Sequence, residues 1–195
     1  KKLFEKTIQI DPNYADTYNN LGNVQGELGE NHNAIMSYEK AIQINPNYAQ
    51  AHNNLGATYK KLGKLQNAKK NYEKAIQINS NFADAHSNLG SIQKTLGNHQ
   101  QARNCYEKAI QLNPKHTDAH NNFGTLYYEL REMEKAKNYF EKTIQIDPNY
   151  SQAYYNLMDI LERTHSLDLL QEYIKKTTLL FGNNPIIDIF KTLIL

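Results

Sequence analysis

The chain contains no tryptophan, a single cysteine and no stretch apolar enough for long enough to cross a bilayer. Cys105 has no second thiol with which to close an internal disulfide, so a reducing, cytoplasmic setting is expected. The first residues lack the charged, apolar and cleavage regions of a secretory signal. Charge of either sign is also scarce in net terms: +2 overall with a pI near 8.5 demands neither a polyanionic partner nor a membrane surface. Missing as well are a glycine-rich phosphate loop, a zinc-type Cys and His cluster and a serine-nucleophile motif. The expectation is a protein without catalytic activity, cofactor or metal.

What is present is a period. Pro12, Pro46, Pro114 and Pro148 keep a 34-residue beat, with Ser80 at the one position the prolines skip. Gly22, Gly56, Gly90 and Gly124 form a ladder at the same spacing, and Gly29, Gly63 and Gly97 form another. A fixed period of this length marks an array of units that bury their apolar faces only against their neighbours.

Within the unit 49–82, the spacing His52-x-x-Leu55-Gly56-x-x-Tyr59 followed by Ala68-x-x-x-Tyr72 resembles the tetratricopeptide repeat. Tyr18, Leu21, Gly22, Ala34 and Tyr38 repeat it one unit earlier; His86, Leu89, Gly90, Ala102 and Tyr106 repeat it one unit later. His120, Phe123, Gly124, Tyr127, Ala136 and Phe140 supply a fourth copy. The tryptophan usual at the first motif position is Tyr or His here. The resemblance implies an all-α fold, a right-handed α-solenoid of helix-turn-helix repeats.

The expected organisation is one array over 1–195: a half repeat at 1–14, full repeats at 15–48, 49–82, 83–116 and 117–150, a degenerate repeat at 151–184 and a terminal helix at 185–195. Residues 1–10 align with the second helix of the central unit, which suggests a segment of a longer array. Each unit should give two helices, for example Ala15 to Leu28 and Asn31 to Ile44, then Ala49 to Leu62 and Leu65 to Ile78. Their ends follow from a mid-unit glycine able to turn left-handed and from Asn-Pro or Asp-Pro. Ala34, Ala68, Ala102 and Ala136 should permit close helix approach opposite the glycine ladder, with Tyr38, Tyr72, Tyr106 and Phe140 filling the space beside it. In the fifth unit Met158 and Leu170 replace the small residues, so altered packing is expected there. The apolar terminal segment, including Ile186, Ile187, Phe190, Leu193 and Ile194, should dock on the fifth repeat; left exposed, it would invite end-to-end self-association.

Histidines at 52, 86 and 120 recur with the period, yet neighbouring helices stand about 8–10 Å apart, too far for one imidazole per repeat to share a zinc ion. Packed imidazoles are the better reading, and Cys105 without a His and acid partner reads as a structural thiol.

One polar ladder remains. The sixth residue of every unit is Asn20, Asn54, Asn88, Asn122 or Asn156, and four residues earlier, on the same helix face, stand Asp16, Gln50, Asp84, Asp118 and Gln152. This combination is similar to the tetratricopeptide superhelix of O-linked N-acetylglucosamine transferase. That likeness implies that the Asn ladder holds the backbone of an extended polypeptide in a concave groove, with Asp16, Asp84 and Asp118 beside it. At about 8–10 Å per rung the ladder would hold on the order of ten to twelve extended residues. The alternative is that these asparagines tie neighbouring helices together. The cation set of a chaperone-tail carboxylate clamp is absent: Asn19, Asn53, Ser87, Asn121 and Tyr155 occupy the fifth position. Nucleic acid is disfavoured because Asp16, Asp84, Asp118, Glu27 and Glu129 would repel phosphate, while Lys60, Lys61, Lys64, Lys69 and Lys70 are a local cluster. The expected function is a protein-protein interaction module with an extended peptide as partner and neither nucleic acid nor membrane. The alternatives are the recognition arm of a transferase whose catalytic domain lies outside these residues, or a self-associating scaffold.

Overall fold

A computed structural model describes residues 1–182 and 185–192. Its helices are α1 (Lys2–Ile10), α2 (Ala15–Glu27), α3 (Asn31–Ile44), α4 (Ala49–Lys61), α5 (Leu65–Ile78), α6 (Ala83–Thr95), α7 (His99–Leu112), α8 (Thr117–Glu129), α9 (Met133–Ile146), α10 (Ser151–Arg163), α11 (Leu167–Phe181) and α12 (Pro185–Thr192). No strand occurs among the described residues. The fold is all-α, and successive helices pair as in tetratricopeptide solenoids. They gather into two compact units, Lys1–Asn113 and Pro114–Leu195.

Four pairs, α2 with α3, α4 with α5, α6 with α7 and α8 with α9, are each built on a glycine beneath an aromatic ring. A Cβ placed on Gly22 would lie 2.6 Å from the Tyr38 ring, and Cβ atoms on Gly56, Gly90 and Gly124 would lie 2.8 Å from Tyr72, Tyr106 and Phe140. Any side chain on the first helix would therefore collide with the ring that fills the crossing. Ala34, Ala68, Ala102 and Ala136 are fully buried and let the second helix come close enough for that contact. In α10 and α11 the arrangement is exchanged. Met158 stands at the glycine position, Leu170 at the alanine position and Ile174 at the aromatic position, and all three are buried. A larger residue on the first helix is thus accommodated by losing the ring on the second.

First helices end one residue earlier than the sequence suggests, at Glu27 and Lys61. Gly29, Gly63 and Gly97 follow at φ 77°, 71° and 78°, the left-handed conformation that reverses the chain. In the second unit Arg131 (φ 63°) and His165 (φ 54°) occupy that conformation with side chains attached, which sequence reasoning missed. The turns between units close through a side chain: Asp11, Asn45, Asn79 and Asp147 each accept a hydrogen bond from the backbone N–H two residues on, at 2.9–3.1 Å. Asn79 does so although Ser80 replaces the proline, so the Asx turn suffices without it.

At the end of the second unit, α12 packs against α11 with Ile187 and Phe190 buried and Ile186 and Ile189 exposed. Leu193 and Ile194, part of the same apolar segment, lie outside the described residues.

Candidate functional site

The sixth-position asparagines stand on the first helices, and their fifth-position neighbours turn inward. Asn19, Asn53, Ser87 and Asn121 are buried, whereas Asn54, Asn88, Asn122 and Asn156 are half-buried and Asn20 is exposed. In the first unit the two rows are linked. Asn54 Nδ2 donates to Asn19 Oδ1 and to Asn23 Oδ1, both at 3.0 Å, and Asn88 Nδ2 donates to Asn53 Oδ1 at 3.1 Å. These bonds join α2 to α4 and α4 to α6. The remaining capacity of Asn54, its Oδ1, accepts from Gln50 Nε2 at 2.9 Å. Asn20 and Asn122 differ: their carboxamides have no hydrogen bond to another described residue. Asn156 is intermediate, with Oδ1 accepting from Gln152 Nε2 at 2.9 Å.

The second-position residues divide by chemistry. Where it is glutamine, Gln50 or Gln152, the amide reaches along its own helix to the asparagine one turn on. Where it is Asp16 or Asp118, the carboxylate accepts from the hydroxyl of a tyrosine in the next inter-repeat turn, Tyr48 at 2.5 Å and Tyr150 at 2.9 Å. The turn residue 32 positions after Gln50 is Phe82, which has no hydroxyl to donate. Burial first, then the Asp16 hydrogen bond and charge, push the Tyr48 phenol up to about 12; the same causes, with Asp118, raise Tyr150. Sequence reasoning missed the tyrosine partners because they lie a repeat away. The recurrence of Tyr at positions 14, 48 and 150 was the available signal.

Two concavities open on this face, one in each unit. One of about 370 Å³ in the first unit is lined by Asn23, Glu27, Tyr38, Asn54, Thr58 and Lys61. Another of about 370 Å³ in the second unit is lined by Tyr128, Tyr155, Asn156 and Asp159, with Ile186 and Phe190 of α12 at its side. In the latter, Asp159 Oδ2 accepts from Tyr128 Oη and from Arg163 Nε, the second at 2.8 Å.

The other candidates do not form a reactive centre. His52 Nδ1 stands 3.2 Å from Asn71 Oδ1, while His86 Nε2 and His120 Nε2 face the carbonyls of Ser80 and Pro114 at 3.1 and 3.0 Å. His52 is thus tied to its partner helix, and His86 and His120 to the turn that precedes their own helix. Among the described residues no group of three metal-ligating side chains converges. Burial, with the Glu73 charge behind it, pushes the Cys105 thiol up to about 11, far from the thiolate a nucleophile needs. No helix of the described residues is long and apolar enough to cross a membrane.

Comparison with known families matches a model described as "Tetratricopeptide repeat" over residues 47–115 and 81–149, together more than half of the chain. A second model of that description matches 3–36, and one described as "TPR repeat" matches 27–63. No curated protein matches the chain. Among solved structures, the MamA protein is 28% identical over 85% of this chain and 90% of that one, with a TM-score of 0.69. YrrB, a TPR protein with an unusual peptide-binding site, is 23% identical over 97% of both chains with a TM-score of 0.68. PilF of Pseudomonas aeruginosa is 22% identical over 93% of this chain and 87% of that one, with a TM-score of 0.82. At these identities the last two speak to the fold alone.

Proposed function

The chain belongs to the tetratricopeptide repeat family, and from that premise we propose that it binds an extended segment of another protein along the face that carries the sixth-position asparagines. Repeats of this family are in general non-catalytic modules that bind protein partners. In this reading Asn20, Asn54, Asn88, Asn122 and Asn156 answer the ligand's backbone, and Asp16, Asp84 and Asp118 favour Lys, Arg, Ser or Thr side chains. A carboxamide suits that task because it offers two donors and an acceptor, matching both the C=O and the N–H of a peptide unit.

The observation that supports it is where unspent hydrogen-bonding capacity lies. Among the described residues the carboxamides of Asn20 and Asn122 have no hydrogen-bond partner, and Asn54 and Asn156 border concavities. The donors to Asn54 Oδ1 and Asn156 Oδ1 include the exposed side chains Gln50 and Gln152, which a ligand N–H can replace at small cost. Asn54 and Asn88 also tie helices, so the two roles assigned to this ladder coexist at those rungs.

The test separates them. A twelve-residue peptide selected from a random library against the whole chain is titrated by fluorescence polarisation into the parent protein, Asn20→Ala and Asn122→Ala. Neither substitution removes a hydrogen bond among the described residues, so both variants should melt as the parent does. A lost ligand bond of about 0.5–1.5 kcal/mol weakens binding roughly two- to tenfold in whichever variant belongs to the unit that holds the peptide. Unchanged affinity in both variants contradicts the proposal. Binding that weakens with salt supports the aspartates' part in it.

A further inference from the structure

We propose that the cavity between α3, α4 and α5 is a second binding site, which takes a tyrosine side chain of a partner polypeptide with an acidic residue beside it. The cavity encloses about 790 Å³ in the first unit, the size of a small-molecule or side-chain pocket. Its floor is His52, Leu55 and Tyr59 of α4, and its walls include Ile42 of α3 and Asn71 of α5. It shares α4 with the asparagine ladder but none of the residues: Asn54, Ala57, Thr58 and Lys61 line the concavity described above.

The chain itself shows what fits such a space. Residues 37, 71, 105, 139 and 173 are equivalent by the 34-residue period, and they are Ser, Asn, Cys, Tyr and Tyr. Tyr139 lays its ring over the counterparts of the cavity floor, with centroids 5.9 Å from His120, 4.5 Å from Phe123 and 5.6 Å from Tyr127. Tyr173 does the same beside Tyr154 at 6.1 Å. At Asn71 the ring is missing while an aromatic and aliphatic floor remains. That floor retains the stacking and burial that a phenol finds in the second unit.

Two further observations set the chemistry. His52 is only 9% exposed and its Nδ1 stands 3.2 Å from Asn71 Oδ1, which fixes the ring in the floor as a stacking surface. At the rim, Glu73 is engaged by Lys69 at 3.8 Å and Glu39 accepts from the Tyr59 hydroxyl at 3.3 Å. Among the described residues neither Lys70 nor Lys74 makes an ion pair, and set against the Glu39 carboxylate they leave the lining one positive charge in excess, which calls for an acid next to the tyrosine.

The experiment titrates N-acetyl-Asp-Tyr-amide into the whole chain while the His52 and Tyr59 ring resonances are followed by NMR. Saturable shifts are expected. N-acetyl-Lys-Tyr-amide should bind about two- to fivefold more weakly, the range an exposed ion pair supplies, and Lys70→Ala should erase that difference. Asn71→Tyr fills the space as residues 139 and 173 do, so it should melt no earlier than the parent and abolish the shifts. The proposal is overturned if the probe leaves both rings unmoved at millimolar concentration, if shifts persist in Asn71→Tyr, or if that variant melts earlier. Ring shifts that grow with protein concentration without any probe would assign the cavity to a second copy of this chain and overturn it too. The asparagine variants Asn20→Ala and Asn122→Ala should leave these titrations unchanged, which keeps this result separate from that of the ladder.

Discussion

Replacing Gly90 by methionine should damage the third helical pair, and replacing Tyr106 by isoleucine as well should undo much of the damage. In the structure a Cβ on Gly90 meets three atoms of the Tyr106 ring at 2.8, 2.9 and 3.1 Å, and that ring is fully buried with nowhere to retreat. Overpacking of this kind costs about 3 kcal/mol. Tyr106→Ile alone leaves a void where the ring was, at about 2–4 kcal/mol. The same two positions in the fifth pair are Met158 and Ile174, both buried, so the double variant reproduces a combination the fold already uses. A favourable coupling of about 1–3 kcal/mol between the substitutions is expected, within the range for residues in contact. Leu170, at the position of Ala102, marks how far the full exchange extends, and Ala102→Leu in the double variant should not lower stability further. Amide hydrogen exchange in α6 and α7 measures the effect where it arises, which matters in an array whose stability is a sum of local terms. Additive single and double effects would refute the account of the helix crossing.

Other expectations rest on separate features. Gly63→Ala should cost about 1 kcal/mol because φ at 71° disfavours a side chain, whereas Arg131→Gly, at φ 63°, should leave stability equal or higher; the opposite order in urea unfolding would contradict the left-handed turn. The imidazoles of His86 and His120 are held below the ordinary histidine value chiefly by burial, against backbone carbonyls that favour protonation. Their folded values lie below the unfolded one, so the stability they contribute is complete above about 6.5 and is lost as pH falls. Melting temperature should therefore drop between pH 7.5 and 5.5, and His120→Phe should reduce that drop; an unchanged slope would remove His120 from the explanation.

The repeat, the helix pairs and the glycine-on-ring core were legible because each depends on residues a fixed number of positions apart within one unit. The asparagine ladder was legible as a row, but not its bonds. Whether Asn54 meets Asn19 and Asn23 depends on how two first helices cross, and no single-helix periodicity carries that. The Asp16–Tyr48 and Asp118–Tyr150 contacts were missed for the same reason. Arg131 and His165 in left-handed turns were missed because the glycine ladder suggests that only glycine fits, whereas the same pair of backbone hydrogen bonds closes these turns with a side chain attached. The space at Asn71 becomes visible only when its surroundings are set beside those of Tyr139.

The central claim, that sixth-position carboxamides hold the backbone of an extended ligand, is tested most directly by the side-chain amide signals of Asn20 and Asn122 in isotopically labelled protein. On titration with the selected peptide, the account predicts that at least one of these two pairs of Nδ2 protons shifts and becomes protected from exchange, with contacts to the peptide backbone. Saturating peptide that leaves both pairs at their free positions, while signals elsewhere on the chain move, would contradict it.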